Sequence, residues 1–174
     1  GKIGHRQIEE LEDNIKKIPD IVEKTVKIND SIAKVMAKKF KNKPVFFFLG
    51  RGISSATAQE ARLKLMEIAY VPSIAYPAGE SKHGPISLVE PGFPVVFVCP
   101  RDGTRKTIVG NIMEMKARGA TIISVIEEGD DEIKSLSDEI FEVPGSLQEI
   151  LSPIVFIAPL QLLAYHMAVE KGLN

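Results

Sequence analysis

The sequence predicts an α/β protein, a three-layer α/β/α sandwich around a five-stranded parallel sheet, preceded by two lead-in helices. Short apolar runs alternate along the chain with longer stretches of helical periodicity. Val45–Leu49 is apolar at every position, as expected for a parallel strand that is covered on both faces. Strands separated by helices of this length need right-handed crossover connections, and such connections produce a parallel sheet.

Residues 1–43 are predicted to form a helical lead-in. Apolar residues recur at three- and four-residue spacing on both sides of Pro19, which lacks the N–H that a continuous helix would use. We therefore expect one helix before Pro19 and a second after it. We expect the two helices to cover one edge of the sheet, and packing on a partner domain or subunit is the alternative. The two apolar stripes are Ile8, Leu11, Ile15 and Ile18, and then Ile21, Ile28, Ile32, Val35, Met36 and Phe40.

Residues 44–174 are predicted to hold the sheet and the helices that cover it, with no second domain boundary and no internal repeat. The chain of 174 residues is near the usual size of one domain. The predicted strands are Val45–Leu49, Ser73–Tyr76, Pro94–Val98, Thr121–Ile126 and Ile140–Val143. The predicted helices are Ser54–Ala69, Thr104–Arg118 and Ser146–Lys171, with a shorter helical piece around Pro85–Val89.

The composition gives no support for a nucleic-acid or membrane partner. The formal net charge is −1, so there is no excess of positive charge for a polyanion. The N-terminus lacks the apolar core of a signal peptide, and the longest apolar stretch, Ile154–Val169, falls short of the roughly 20 residues of a membrane span. The single cysteine, Cys99, excludes an internal disulfide and suits a reducing cytosol. We expect a soluble, cytoplasmic protein in which Cys99 is buried and inert.

A glycine turn follows the first predicted strand. Gly52 lies in this turn, and Ser54 and Ser55 are good N-caps for the next helix. This turn could bind a phosphate or carboxylate group of a substrate. The donors would be the main-chain N–H groups at the helix N-terminus, the two serine hydroxyls and the guanidinium of Arg51. The alternative is a tight, serine-capped turn, because Gly50–Gly52 is a weak signal without the third glycine of a dinucleotide fingerprint.

Lys64 and Glu67 lie three positions apart on the following predicted helix and therefore share one face of it. The plain interpretation is an exposed ion pair. The functional interpretation is a carboxylate base beside a cation. Such a base could move a proton on a carbon atom next to a carbonyl group.

Three ionisable residues, Glu80, Lys82 and His83, stand between glycines directly after the second predicted strand. That density is unusual for a connector, and histidine is the natural acid–base group near neutral pH. A plain surface loop is the alternative. The three histidines of the chain lack ligand spacing to carboxylates or cysteine, so we expect no metal site. His166, within an apolar helix, is expected to be structural.

Three separated stretches, Lys64–Tyr70, Ala78–Pro85 and Pro159–His166, occur in a recognisable order. They resemble the glutamine–fructose-6-phosphate aminotransferase (isomerising) family, also called glucosamine-6-phosphate synthase. The similarity is to the second of its two sugar-isomerase (SIS) domains and covers about Val45 to Gly172. It implies a five-stranded parallel α/β sandwich that dimerises. It also implies an enzyme that makes glucosamine 6-phosphate from fructose 6-phosphate and glutamine.

The resemblance implies roles for three residues. In the family, the glutamate of the Lys-Leu-x-Glu motif is the isomerisation base, which points to Glu67, and Lys64 belongs to the same site. The histidine of the Glu-x-Lys-His-Gly-Pro loop, here His83, helps to open the sugar ring and comes from the neighbouring subunit. No metal or organic cofactor is implied, because the chemistry is ring opening, imine formation and proton transfer.

The predicted fold agrees with sites that are shared between subunits. Glu67 lies about 13 residues along its helix from Ser54, hence roughly 20 Å from the carboxyl edge of the sheet. His83 is expected on that edge, because it follows the second strand. The two residues can hardly share a site within one chain. If both are functional, they serve composite sites built across the interface of a homodimer.

Three departures from the family pattern predict a fragment that is inactive alone. Where related domains have a serine- and threonine-rich phosphate loop, Cys99–Thr104 lacks the serines and places Asp102 at a helix N-terminus, where it would repel phosphate. The family's C-terminal tail, with its Schiff-base lysine, would follow Asn174. The upstream SIS and glutaminase domains are absent. Two other functions remain open beside that of an enzyme domain. One is a non-catalytic SIS module that binds sugar phosphates or regulates another protein, and the other is a structural dimerisation domain.

Overall fold

Five parallel strands form one sheet in the order β2-β1-β3-β4-β5 in the computed structural model, which describes residues 4–145 and 147–173. The predicted fold class is confirmed, and each predicted strand agrees with an observed strand to within one residue at either end. The strands are β1 (Phe46–Gly50), β2 (Ser73–Pro77), β3 (Pro94–Cys99), β4 (Thr121–Glu127) and β5 (Glu139–Val143).

Helices and short 3-10 turns connect the strands. The helix predicted at Ser54–Ala69 is confirmed at both ends, and the one predicted at Thr104–Arg118 is one residue shorter at each end. The α-helices are α1 (His5–Phe40), α2 (Ser54–Ala69), α3 (Arg105–Ala117), α4 (Asp131–Leu136), α5 (Ser152–Phe156) and α6 (Ala158–Glu170). The 3-10 helices are Ala78–His83, Pro85–Leu88 and Glu149–Leu151. The six-residue helix α4 is too short to be marked by an apolar stripe in the sequence.

Alternate residues of β1 face opposite layers of the sandwich. Phe46 and Phe48 pack with α1, α2, α5 and α6 on one face of the sheet, whereas Phe47 and Leu49 pack with α3 and α4 on the other. All five residues of β1 are buried. Full burial of a side chain of this kind contributes about 1.5–3 kcal/mol. β1, an interior strand of the sheet, therefore anchors both layers.

The N-terminal segment forms one helix, so the prediction of two lead-in helices is wrong. α1 continues through Pro19, although a proline in a helix interior costs on the order of 3 kcal/mol. The apolar stripe runs across the proline, because Ile18, Ile21 and Val22 all pack against the core. This packing stabilises the helical path on both sides of Pro19, which itself is exposed.

α1 lies against β5, an edge strand, which confirms the predicted packing over an edge of the sheet. The fully buried Asn29 joins the two elements. Its Nδ2 donates to the carbonyl oxygen of Glu142 at 2.7 Å, and its Oδ1 accepts the N–H of Glu142 at 3.1 Å. The second half of α1 belongs to the main hydrophobic core. A division of the chain at residue 43 remains a prediction.

The single helix predicted at Ser146–Lys171 is instead a short 3-10 turn followed by α5 and α6; Ser146 lies outside the described residues. Pro153 and Pro159 each occupy the first turn of one of these helices, where the missing N–H costs no hydrogen bond. The helix therefore restarts at each proline. The apolar residues of α5 and α6 pack on the same face of the sheet as α2.

By length and composition alone, Glu149–Glu170 is long and apolar enough to cross a membrane. The apolar stretch Ile154–Val169, on which the sequence-based expectation rests, is therefore shorter than the full apolar segment. In the fold, 61% of its apolar window is buried. Burial of this kind is what a core helix shows, and α6 packs extensively against α1 and α2.

A buried carboxylate organises the connection from β4 to α4. Asp130 accepts a hydrogen bond from the N–H of Ile133 at 3.2 Å, which caps α4. The same carboxylate pairs with the guanidinium of Arg105 in α3, and Arg105 also contacts Glu132 at 3.0 Å. Burial alone would raise the pKa of Asp130, but the hydrogen bonds from Arg105 and Ile133 outweigh burial and hold the pKa below its ordinary value of 3.8.

We expect the pair between Asp130 and Arg105 to make the fold sensitive to acid. A carboxyl group whose pKa is lowered by folding contributes stability above its unfolded pKa, and this contribution is lost as the pH falls through the folded-state pKa. The free energy of unfolding should therefore fall below pH ~4, and more steeply in the parent chain than in Asp130→Asn. Urea unfolding across the acid range measures both slopes. Asp131→Asn, at the exposed neighbouring position, should keep the parent slope, and equal slopes in the parent and Asp130→Asn would contradict the prediction.

Candidate functional site

The predicted base and its cation lie together on the outer face of α2. Lys64 Nζ is 2.8 Å from Glu67 Oε2 and 3.4 Å from Glu60 Oε1. Leu65 is buried in the core, and its burial fixes the face that Lys64 and Glu67 present. The hydrogen bond to Glu67 raises the pKa of Lys64 above its ordinary value of 10.5, so the lysine is a cation at neutral pH. The Glu67 side chain is 48% exposed, which leaves its carboxylate open to a ligand.

A groove of about 410 Å³ begins at Glu67 and runs between the C-terminal ends of α2 and α6. Lys171 Nζ donates to the carbonyl oxygen of Ala69 at 2.6 Å and so joins the two helix ends. Mostly apolar walls around one carboxylate are typical of a small-molecule site with a single acid–base group. The groove is lined by Glu67, Ile68, Tyr70, Tyr165, Ala168, Val169 and Leu173.

Two tyrosines line the groove beside Glu67, and they are candidate site residues that the sequence does not single out. Tyr70 ends the first family motif and Tyr165 lies in the third, but no spacing rule places them beside Glu67. Tyr70 has a positive φ of 53°, uncommon for a residue other than glycine, and its N–H bonds to the carbonyl oxygen of Leu65. Backbone conformations of this kind cluster at ligand sites.

The serine hydroxyls of the glycine turn after β1 form hydrogen bonds with the main chain of the turn itself. Ser54 Oγ accepts the N–H of Arg51 at 3.0 Å and donates to its carbonyl oxygen at 2.7 Å. Ser55 Oγ donates to the carbonyl oxygen of Gly50 at 3.0 Å. Gly52 has a φ of 55°, which allows the sharp turn. Both hydroxyls are thus engaged as in a plain capped turn, and substrate binding by Gly52, Ser54 and Ser55 remains a prediction.

The loop that carries His83 is the 3-10 helix Ala78–His83. Ser81 is fully buried and donates to a main-chain carbonyl of the same turn at 2.7 Å, which attaches the middle of the turn to the core. Glu80, Lys82 and His83 are exposed. The imidazole of His83 is therefore accessible to a ligand or to a second subunit.

Glu67 and His83 lie on different faces of the sheet. The buried residues of α2, which carries Glu67, join the hydrophobic cluster on one face. Ala78, at the start of the turn that carries His83, belongs to the cluster on the other face. One chain therefore does not bring the two residues together. A site that uses both needs two chains.

The loop after β3 fills its own helix N-terminus with a carboxylate. Asp102 Oδ1 accepts the N–H of Thr104 at 2.8 Å and its hydroxyl at 2.6 Å. These donors lie at the start of α3, where a bound phosphate would need them. The arrangement agrees with the expectation that Cys99–Thr104 does not form a phosphate cradle.

Cys99 is 1% exposed, as predicted. Burial raises the pKa of its thiol, and the nearby Asp130 carboxylate raises it further, so the thiol is unreactive at neutral pH. Within residues 4–145 and 147–173, no group of three or more His, Cys, Asp or Glu side chains is placed to hold a metal ion.

The sequence matches known proteins along almost its whole length. The SIS domain family profile matches residues 31–171. Glutamine–fructose-6-phosphate aminotransferase (isomerizing) of Thermococcus kodakarensis is 45% identical over 172 residues, and that of Pyrococcus horikoshii is 45% identical over 175 residues. The alignments cover 99% and 100% of this chain and 28% of each relative. The chain thus spans less than a third of the length of these relatives.

A solved structure matches the fold over the same length. It is the C-terminal domain of glucosamine-fructose-6-phosphate aminotransferase from Francisella tularensis, with a TM-score of 0.92 at 34% sequence identity. The match covers 99% of this chain and 48% of that chain. The fold described above is therefore shared with about half of that solved domain.

Proposed function

The chain belongs to the SIS domain family, and from this premise we propose that it forms the second isomerase domain of a glutamine–fructose-6-phosphate aminotransferase. The resemblance carried by the three motifs is confirmed at the level of the family. The observation that carries the proposal is the identity of 45% over 172 residues with a protein of that name. The proposed reaction converts fructose 6-phosphate and glutamine into glucosamine 6-phosphate and glutamate.

Glu67 is the proposed isomerisation base. Its carboxylate is exposed at the groove, and Lys64 holds one oxygen at 2.8 Å, so that the other can take a proton. Isomerisation moves a proton between neighbouring carbon atoms next to a carbonyl group, a step that a positioned carboxylate performs. Lys64 stays protonated and offers its charge to an oxygen of the open-chain sugar.

His83 is the proposed ring-opening residue of a site completed by a second copy of the chain. Its exposure, on the face opposite to Glu67, supports a homodimer with composite sites. An upstream SIS domain is proposed to supply the sugar-phosphate cradle, and a glutaminase domain to supply ammonia. The enzyme is proposed to act in the cytoplasm, without a metal or organic cofactor.

A chimera provides the assay for this function. In it, this chain replaces the matching 28% of the Thermococcus kodakarensis relative, and glucosamine 6-phosphate formation is measured with ammonia supplied. The chimera should form the product. If the chimera is inactive while the unaltered relative is active, the result counts against the proposal. In an active chimera, the variant Glu67→Gln tests whether Glu67 is the base.

The isolated chain is expected to bind neither fructose 6-phosphate nor glucosamine 6-phosphate at micromolar concentration. The serine hydroxyls of the first turn are engaged, and Asp102 occupies the N-terminus of α3, so these two turns form no phosphate cradle. Isothermal titration with both sugars checks this, with the whole Thermococcus kodakarensis relative as positive control. Micromolar binding by the isolated chain would instead favour a stand-alone sugar-phosphate-binding or regulatory module.

A further inference from the structure

We propose that three side chains outside the family motifs hold in place the turn that carries His83. They are Arg51, Asn111 and Glu114. With Lys82 they form a continuous series of contacts from the end of β1, through α3, to the residue before His83. The inference rests on the proposed role of His83 in ring opening. The three are positioning residues, because they act through the turn.

The contacts follow one another from residue to residue. Arg51 Nη1 donates to Asn111 Oδ1 at 3.1 Å. Asn111 Nδ2 donates to Glu114 Oε2 at 3.4 Å. Lys82 Nζ lies 2.8 Å from Glu114 Oε1. Each carboxylate oxygen of Glu114 therefore contacts a different neighbour, one on α3 and one on the turn.

Arg51 also packs directly on the turn. A Cβ atom at Gly79 would lie 2.7 Å from Arg51 Nη1 and 3.4 Å from its Cζ. The guanidinium thus lies against the main chain of Gly79, and a side chain at that position would have to displace it. The turn is held near its start by Arg51 and near its end by Glu114.

Burial identifies Asn111 as the central member of this series. Asn111 is 7% exposed, and its two side-chain hydrogen bonds are partly shielded from water. The Lys82 side chain, by contrast, is 64% exposed. Exposed ion pairs contribute little, whereas a buried polar group that loses its partner is costly. Loss of the Asn111 amide should therefore disturb the turn more than loss of the ion pair.

The end of the turn needs this support, because the two buried residues of the turn, Ala78 and Ser81, lie before Lys82 and His83. A 3-10 helix has poorer hydrogen-bond geometry than an α-helix. Gly84 follows it with a φ of 129°, a conformation that glycine adopts at no steric cost but that also leaves the chain free to move. The buried Ser81 precedes His83, so the contact at Lys82 is the closest described anchor to the imidazole. A catalytic group contributes fully only when it is held in a productive geometry.

Hydrogen exchange in this chain tests the positioning directly. Asn111→Leu removes both hydrogen bonds at similar volume, and the main-chain amides of residues 79–84 should exchange about five- to tenfold faster. Amides of β3 and β4 should keep their rates. Asn14→Leu is the matched control, because Asn14 lies on α1 and donates to a main-chain carbonyl at 2.7 Å.

A second variant keeps the test valid if Asn111→Leu folds poorly. Glu114 is partly exposed, and Glu114→Met removes its contacts to both Lys82 and Asn111 while the hydrogen bond from Arg51 to Asn111 stays. It should give a smaller acceleration at the same amides. Parent rates at residues 79–84 in both variants would overturn the proposal.

The chimera separates positioning from the proposed chemistry. Glu114→Met should lower kcat about two- to fivefold with KM unchanged. Glu114→Gln, whose single amide oxygen can still accept from Lys82 or from Asn111, should restore part of kcat. If His83→Ala lowers kcat but Glu114→Met does not, the positioning proposal is wrong and the proposed function stands. If His83→Ala has no effect, the role of His83 is wrong, while the exchange result still decides whether the turn is held.

Discussion

Replacement of Glu67 by glutamine in the chimera is expected to lower glucosamine 6-phosphate formation by about 10²- to 10⁴-fold, the usual contribution of a positioned general base. Glutamine keeps the shape of the side chain and can still contact Lys64, but it cannot accept the proton in the isomerisation step. Because Glu67 is exposed, the fold should be unaffected. The measurement is kcat at saturating fructose 6-phosphate and ammonia, with circular dichroism to confirm folding.

Glu60→Gln is the matched control for this variant. Glu60 also contacts Lys64, at 3.4 Å and from the same helix, but it does not line the groove. Its replacement removes a neighbour of the lysine and leaves the proposed base in place, so activity should stay within about twofold of the parent. Undiminished turnover in Glu67→Gln, or an equal loss in both variants, would show that Glu67 is not the base.

The largest loss of stability is expected from Gly50→Ala. A Cβ atom at Gly50 would lie 2.4 Å from the carbonyl oxygen of Ser54 and 2.5 Å from its carbonyl carbon. Both are main-chain atoms of the first turn of α2, so they cannot rotate away. α2 would have to move off β1, and the free energy of unfolding should fall by about 3 kcal/mol or more. In a chain of this size, that loss lowers Tm by roughly 6–12 °C, which thermal unfolding measures.

Gly110→Ala makes the same chemical change in open space. A Cβ atom at Gly110, inside α3, would meet nothing within 4 Å. Alanine is the better helix former, so this variant should be up to about 1 kcal/mol more stable than the parent. If Gly50→Ala cost less than about 1 kcal/mol, α2 would be free to shift on the sheet. Its contact with β1 would then not fix the position of Lys64 and Glu67.

The strands and α2 could be predicted because their signals are local. β1 is buried on both faces and is therefore an unbroken apolar run, and the bounds of α2 agree with the turn at Gly52 and the serine at its start. The family motifs locate Glu67 and His83. That the two residues are on different faces follows from helix packing rather than from either motif.

The features that could not be predicted depend on contacts between distant residues. Pro19 indicates a helix break when only its neighbours along the chain are considered, but packing of Ile18 and Val22 on the core keeps α1 continuous. The hydrogen bond from Arg51 to Asn111 joins residues 60 positions apart, and no local pattern contains it. The support of the turn that carries His83 is therefore visible only in the folded chain.

The side-chain amide of Asn29 in α1 also limits which molecules can pair with the edge of the sheet. An edge strand such as β5 presents unpaired N–H and C=O groups, which can recruit a strand from another chain and start aggregation. Asn29 binds both main-chain groups of Glu142 with its own amide, much as a neighbouring strand would. α1 thereby blocks strand addition at this point of the edge. The domain can expose surfaces for assembly elsewhere while the main chain at Glu142 is closed to strand pairing.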